Sequence, residues 1–268
     1  MRGTIQFEQQ AGVARVTISH SARFNAMSRV MWRELRAGFE SLQKSTDVRC
    51  VVVSGAGGNF CAGGDISEYA DFRFQEVSLR DFHENDVWGA LQAMLDCDVP
   101  IVAQIDGNCM GAGVEIASCC DIRLAGDSAR FGAPIARLGF PMAPREAALV
   151  AREAGLTTAR QMLLAAAIFN ANDMKNAGFL SRVLADHEVA SEVQATASHI
   201  AALAPQAARL NKQTLRALIT HPDVVDGMHH ATDSIAMHVD KAYGYADSHE
   251  HREGIQAFVE KRKPVFGN

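Results

Sequence analysis

The chain has 268 residues, 48% hydrophobic and 21% charged, the composition of a globular protein able to bury a sizeable core. Its 31 acidic residues outnumber 26 Lys and Arg for a net charge of −5, which argues against nucleic acid as the main partner, since phosphate binding needs a basic face. No run approaches the roughly 18 apolar residues of a membrane span, and the opening MRGTIQFEQQ lacks the apolar stretch of a secretory signal, so a cytoplasmic protein without a membrane partner is expected.

In chain order, TIQFEQQAGVARVTISH alternates apolar and polar residues around a glycine and predicts a β-hairpin. Ser28 is placed to cap a helix running to about Lys44, with Val30, Met31, Leu35, Phe39 and Leu42 on one face. RCVVVSG is a continuous β-branched run and predicts a buried strand. The Gly-rich loop GAGGNFCAGGD follows, then a helical stretch from about Leu79 to Asp96, a second buried strand in PIVAQIDG and a third in DIRLAG. From about Pro144 the pattern turns helical and stays so, with helices expected near 188–203, 206–219, 223–245 and 249–262. This divides the chain into an α/β core, 1–190, and a helical C-terminal region, 191–268.

Six cysteines (Cys50, Cys61, Cys97, Cys109, Cys119, Cys120) sit in apolar or Gly-rich segments without a CxxC pair. They are expected to be small buried thiols, with neither a disulfide framework nor a zinc site. His249 and His251, among Asp247, Glu250, Arg252 and Glu253, predict a solvated helix start rather than a metal site, and His229–His230 forms a second cluster.

The α/β half repeats one pattern twice. VVVSG leads through a loop to CAGGDI, and VAQIDG leads to MGAGVEI. Each is a strand, then small residues, then a helix start whose first carboxylate is Asp65 or Glu115. Helix starts carry unpaired backbone N–H groups, and glycine or alanine lets a foreign oxygen approach them. Two facing starts can aim two donors at one oxygen, the geometry of an oxyanion hole. Either turn alone is an ordinary strand–glycine–helix junction, and GAGGNF and GAGVEI both break the dinucleotide fingerprint GxGxxG.

VVVSGAGGNFCAGGDI, PIVAQIDGNCMGAGVEIASCCDIRLAG, ARFGAP and REGIQAFVEKRKPVF, in that order, closely resemble the enoyl-CoA hydratase/isomerase (crotonase) family along nearly the whole chain. The resemblance implies a spiral core of repeated ββα units with a helical C-terminal trimerisation region. A homo-trimer or a hexamer built as a dimer of trimers goes with it, as does an acyl-CoA thioester substrate with no further cofactor. Matched motif to motif, Gly64 and Ala112 would hold the thioester oxygen as an enolate develops, and Glu115 would be the acid or base. Ala62, Asp65, Ile66 and Gly111 fall at substrate-binding positions, although Asp65 also reads as a helix cap. Ala26 falls near the CoA nucleotide, and Phe258 and Lys261 match adenine and phosphate contacts contributed by a neighbouring subunit; Lys261 reads equally well as an exposed charge at a helix end.

Two departures stand out. Family hydratases carry a second glutamate in a segment written FGxPE; here it reads FGAPI, with Ile135 in that place. Where glycines are usual downstream, the chain has LGFPMAPREAAL, with Met142 and Pro144. An apolar pocket around Glu115 is expected to raise its pKa. A single retained glutamate suits moving protons between carbons better than adding water, which two carboxylates do well. Glu115 can also be read as a relic bonded only to backbone. His83, Glu84 and Arg137 are further polar candidates. An acyl-CoA decarboxylase or hydrolase, with Arg137 as carboxylate partner, and a non-catalytic acyl-CoA binding protein stay open as alternatives.

Overall fold

The structure is a computed structural model and describes residues 2–220 and 242–267. The helix expected near 223–245 falls almost entirely outside these, as does the His229–His230 pair.

The expected hairpin forms as β1 (Thr4–Gln10) and β2 (Val13–Ser19), antiparallel and in register from Thr4 opposite Ser19 to Gln10 opposite Val13. Ser28 accepts the Met31 N–H at 3.3 Å and starts α1 (Arg29–Lys44). The buried stripe of α1 is Met31, Trp32, Leu35, Phe39 and Leu42, with Trp32 where Val30 was expected. The runs read as buried strands are β3 (Cys50–Gly55), β4 (Ile101–Ile105) and β6 (Ile122–Gly126).

Both faces of this sheet are covered, which explains the unbroken apolar runs. Alternate residues feed two cores: Val51, Val53, Ile101 and Ala103 enter the larger one, and Cys50, Val52, Val102 and Leu124 enter the smaller. Helix α8 (Val189–Ala201) closes the smaller core with Val189, Val193, Ala197 and Ala201, one residue per turn.

The main sheet runs β1-β2-β3-β4-β6-β9, parallel from β2 onward, where β9 is Arg182–Leu184. A second, three-stranded sheet joins β5 (Asn108–Met110), β7 (Arg130–Gly132) and β8 (Ile168–Asn170). The passes β4–β5 and β6–β7 each lay one strand in each sheet before the next helix, the ββα unit of the spiral that the resemblance implies. The expectation of uninterrupted helix after Pro144 is corrected by β8 and β9. Strands of three residues are too short to display a period of two, and their pairing partners lie far away in sequence.

The predicted helix from Leu79 to Asp96 is also corrected. It begins earlier, as α2 (Glu76–Asp81), passes through a π-helical turn at Phe82–Val87 and continues as α3 (Trp88–Asp96). All six cysteines are buried free thiols. Among the described residues no helix is long and apolar enough to cross a membrane.

Candidate active site

The first turn is pinned to the segment before α1. Gly63 O accepts the Met27 N–H at 2.8 Å, Met27 O accepts the Asp65 N–H at 2.8 Å, and Phe24 O accepts the Ala62 N–H at 3.0 Å. The second turn is laced to the first: the Met110 N–H donates to Cys61 O at 2.8 Å, and the Cys61 N–H donates to Asn108 O at 2.9 Å. Gly111 stands at φ +49° and ψ −111°, a conformation that side chains disfavour. A Cβ on Gly113 would lie 2.6 Å from Cys61 O, so α4 (Ala112–Ser118) rests directly on the first turn.

After these bonds are assigned, the Gly64 and Ala112 N–H groups are among the backbone donors left over. Neither the Gly64 N–H nor the Ala112 N–H donates to an acceptor among the described residues, and both residues line one cavity of about 320 Å³. That volume is at the lower end of small-molecule sites. Its wall is mostly apolar, with Trp32, Phe82, Val87, Leu138 and Phe140 among the lining residues. The Tyr69 hydroxyl occupies the space a Cβ on Gly64 would need, so the first turn closes around a glycine.

Of the residues singled out in the sequence, Ala62, Gly64, Ile66, Gly111, Ala112, Glu115, Ile135 and Met142 all line this cavity. Four do not. Asp65 caps the next turn, accepting from Ser67 N–H at 3.1 Å and pairing with Arg23 at 3.3 Å. Ala26 is buried beside His20. Phe258 is 84% exposed near the end of the C-terminal helix His249–Val259, and Lys261 follows that helix on the surface. Ser248 caps the helix, accepting the His251 N–H at 3.2 Å, so the histidines stand at its start as expected.

Glu115 is 8% exposed, on a helix whose every residue is buried. Burial pushes its carboxyl well above the usual carboxylate range, the negative charge of Glu146 pushes it further, and the Arg73 guanidinium pulls it partly back.

Glu146 adds a carboxylate outside the two family positions, one that the motif-by-motif reading did not include. It is 2% exposed and lines the same cavity from α5 (Pro144–Ala154), which starts with proline in the first helical position. Its Oε2 accepts the Ala143 N–H at 3.2 Å, and its Oε1 lies 3.1 Å from His83 Nδ1. The other ring nitrogen, Nε2, is 3.2 Å from Arg73 Nη2. A guanidinium only donates, so Nε2 accepts, Nδ1 carries the proton and His83 donates to Glu146. The chain of bonds therefore runs Arg73 to His83 to Glu146. Arg73 is clamped between two rings, 4.2 Å from the Tyr69 centroid and 3.8 Å from that of Phe140. Its buried Nε has no acceptor among the described residues.

Sequence reading reached His83 but missed Glu146, Arg73 and Tyr69. The π-helical turn supplies His83 to the wall together with Phe82 and Val87, and such turns recur at functional sites. Glu146 reads in the sequence as an ordinary acid in the first turn of a helix. Arg137 also reaches the cavity wall, but its Nη2 donates to Ala166 O at 3.1 Å, and Glu84 pairs with Arg145 at 3.4 Å.

Comparison with known proteins shows the family. The family profile described as Enoyl-CoA hydratase/isomerase matches residues 8–268. A probable enoyl-CoA hydratase, echA8, of Mycobacterium bovis is 28% identical, with 98% of this chain and 97% of the relative covered. The short-chain-enoyl-CoA hydratase of Clostridium acetobutylicum is 29% identical, with 96% of this chain and 94% of the relative covered. Among solved structures, an enoyl-CoA hydratase/carnithine racemase from Magnetospirillum magneticum superposes with a TM-score of 0.89 at 33% identity, covering 100% of this chain and 96% of that one. The chain belongs to the enoyl-CoA hydratase/isomerase family.

Proposed function

We propose that the protein is an enzyme that binds an acyl-CoA thioester, forms or consumes its enolate, and moves protons on the acyl chain, in the manner of an enoyl-CoA isomerase. The observation that carries this reading is a pair of unpaired N–H groups, on Gly64 and Ala112, in the wall of the cavity that also holds buried Glu115. The thioester oxygen accepts from both N–H groups, and its bonds shorten as negative charge develops; loss of one such donor costs about 3–4 kcal/mol of transition-state stabilisation. Glu115, three residues beyond Ala112, is the acid–base group that this reading assigns to the carbon next to the thioester. Its raised pKa favours the protonated form, which can give a proton to that carbon and take one back.

Ile135 cannot hold a water molecule or move a proton, which favours proton shuttling over hydration. Hydration is the second reading, supported by the two carboxylates facing one cavity and by the hydratase names of the relatives. In either case the substrate supplies the coenzyme A. Its nucleotide end is assigned to the neighbourhood of Ala26, with Phe258 and Lys261 of a neighbouring subunit in a homo-trimer or hexamer; the 84% exposure of Phe258 in the single chain suits a residue that is covered on assembly.

The test is incubation with crotonyl-CoA and with a 3-enoyl-CoA in deuterated water, following deuterium at the α-carbon. Exchange that disappears in Glu115→Gln supports the reading. Tight binding without exchange would instead mark a non-catalytic acyl-CoA binder.

A further inference from the structure

Glu146 has a local role, capping α5, yet several features exceed what a cap needs. A cap requires one bond to a backbone N–H, and Ala143 supplies it. The second oxygen is held by an imidazole, itself held by a guanidinium fixed between two aromatic rings. The three side chains arrive from the loop at 73, the π-helical turn at 83 and the start of α5, and all three line the cavity. A carboxylate offers about four lone-pair directions, and these bonds occupy two of them. Capacity for further bonds remains.

The two carboxylates come to the cavity from different helices. Glu115 shares α4 with Ala112 and so serves the carbon adjoining the thioester. Glu146 lines the cavity from a different helix, alongside Phe140, Met142 and His83, and so stands on another wall than Ala112 and Glu115.

We infer that Glu146 is a second acid–base group of this site, acting at C4 of an enoyl thioester, with His83 and Arg73 as positioning residues. The inference rests on the enolate reading above and deepens it. The Glu146 carboxylate removes a proton from C4 of a 2-enoyl thioester. The C4–H electron pair becomes C3=C4, the C2=C3 pair moves to C1=C2, and the carbonyl pair moves onto the oxygen bound by Gly64 and Ala112. Protonated Glu115 then delivers its proton to C2, and the oxygen pair returns to the carbonyl. A 3-enoyl thioester results, with Glu146 protonated and Glu115 ionised; exchange of one proton with solvent at each carboxyl restores the starting pair. The substrate class is an enoyl-CoA with hydrogen on C4.

Position-resolved exchange in deuterated water tests this. Butyryl-CoA reports on C2 alone, because a saturated chain has no acidic C4 hydrogen, and crotonyl-CoA reports on C4. Glu146→Gln, which keeps the cap, is expected to lower C4 exchange about 100-fold, within the range a positioned acid or base supplies, while C2 exchange falls less than about tenfold. Glu115→Gln is expected to reverse that ratio. His83→Asn should lower C4 exchange about tenfold, again more than C2 exchange, a selectivity that general loosening of the fold does not produce. Undiminished C4 exchange in Glu146→Gln overturns the inference, as does an equal fall at both carbons. Conversion of crotonyl-CoA to a 3-hydroxyacyl product without deuterium at C4 also overturns it. Absence of C2 exchange with butyryl-CoA in the parent protein is a different failure, one that removes the enolate reading itself.

Discussion

Gly64 and Ala112 enter the cavity as backbone, each from a strand–turn–helix junction whose parts are neighbours in the chain, whereas Arg73, His83 and Glu146 enter it as side chains from three separate elements. The first wall is rigid for local reasons. Bonds from Met27 and Asp65 pin one turn, Cys61 ties it to the second, and glycines allow the close approach. The second wall depends on long-range packing, through a π-helical turn and a guanidinium held between rings. Backbone donors need only a turn to be presented, while side-chain acids need their neighbours assembled before they acquire a chemical character.

The sharpest way to break this comparison is at its meeting point, Glu115. Glu115→Gln is expected to reduce α-carbon exchange by about 10²–10⁴, measured by mass spectrometry with butyryl-CoA; a smaller loss would shift the chemistry to the other wall. Gly64→Ala attacks the backbone wall alone. Its Cβ overlaps the Tyr69 hydroxyl, so turnover should fall by about 10²–10³ through a displaced N–H. Gly64→Ala combined with Tyr69→Phe should recover part of that loss in steady-state kinetics, because the overlapping oxygen is removed. Ile135→Glu restores a carboxylate where family hydratases have one. Hydration of crotonyl-CoA, followed by loss of the conjugated thioester absorbance, should rise by up to about 10²; no gain would mean that Met142 and its neighbours have closed the water position.

The smaller effects concern proton affinity. Glu115 faces Glu146, Arg73 and His83 across the cavity and Tyr69 near the first turn. The Arg73 charge opposes the rise, so Arg73→Gln should move the pH profile of α-carbon exchange further toward alkaline pH. Stability follows the same carboxyl. The folded protein binds the Glu115 proton more tightly than the unfolded chain does, so this contribution is full below the ordinary carboxylate pKa. It is lost as pH rises through the raised value. Glu115→Gln carries no such penalty, and thermal melts should show its stability relative to the parent improving as pH increases.

Much of the spiral was readable from the sequence. VVVSG and PIVAQIDG are buried on both faces, and their unbroken apolar runs say so; Ser28 and the α1 stripe are local signals as well. What escaped was set by pairing across distance. Strands such as Ile168–Asn170 exist because β7 lies beside them, and no periodicity fits in three residues. The site divides along the same line. Gly64, Ala112 and Glu115 lie in motifs that carry their own geometry. Glu146 resembles any acid in a first helical turn until folding sets His83 against it across 63 residues of sequence. Counting carboxylates by motif position found Ile135 and stopped there, while the cavity gained its second acid from the next helix.

A structure of the protein with a bound, non-reacting acyl-CoA thioester analogue measures whether one thioester oxygen is shared by the two turns. The account predicts the carbonyl oxygen within about 2.7–3.1 Å of both the Gly64 and Ala112 nitrogens, with the Glu115 carboxyl in contact with C2. A thioester oxygen bonded elsewhere, or an acyl chain lying outside the cavity that holds Glu115, would contradict it.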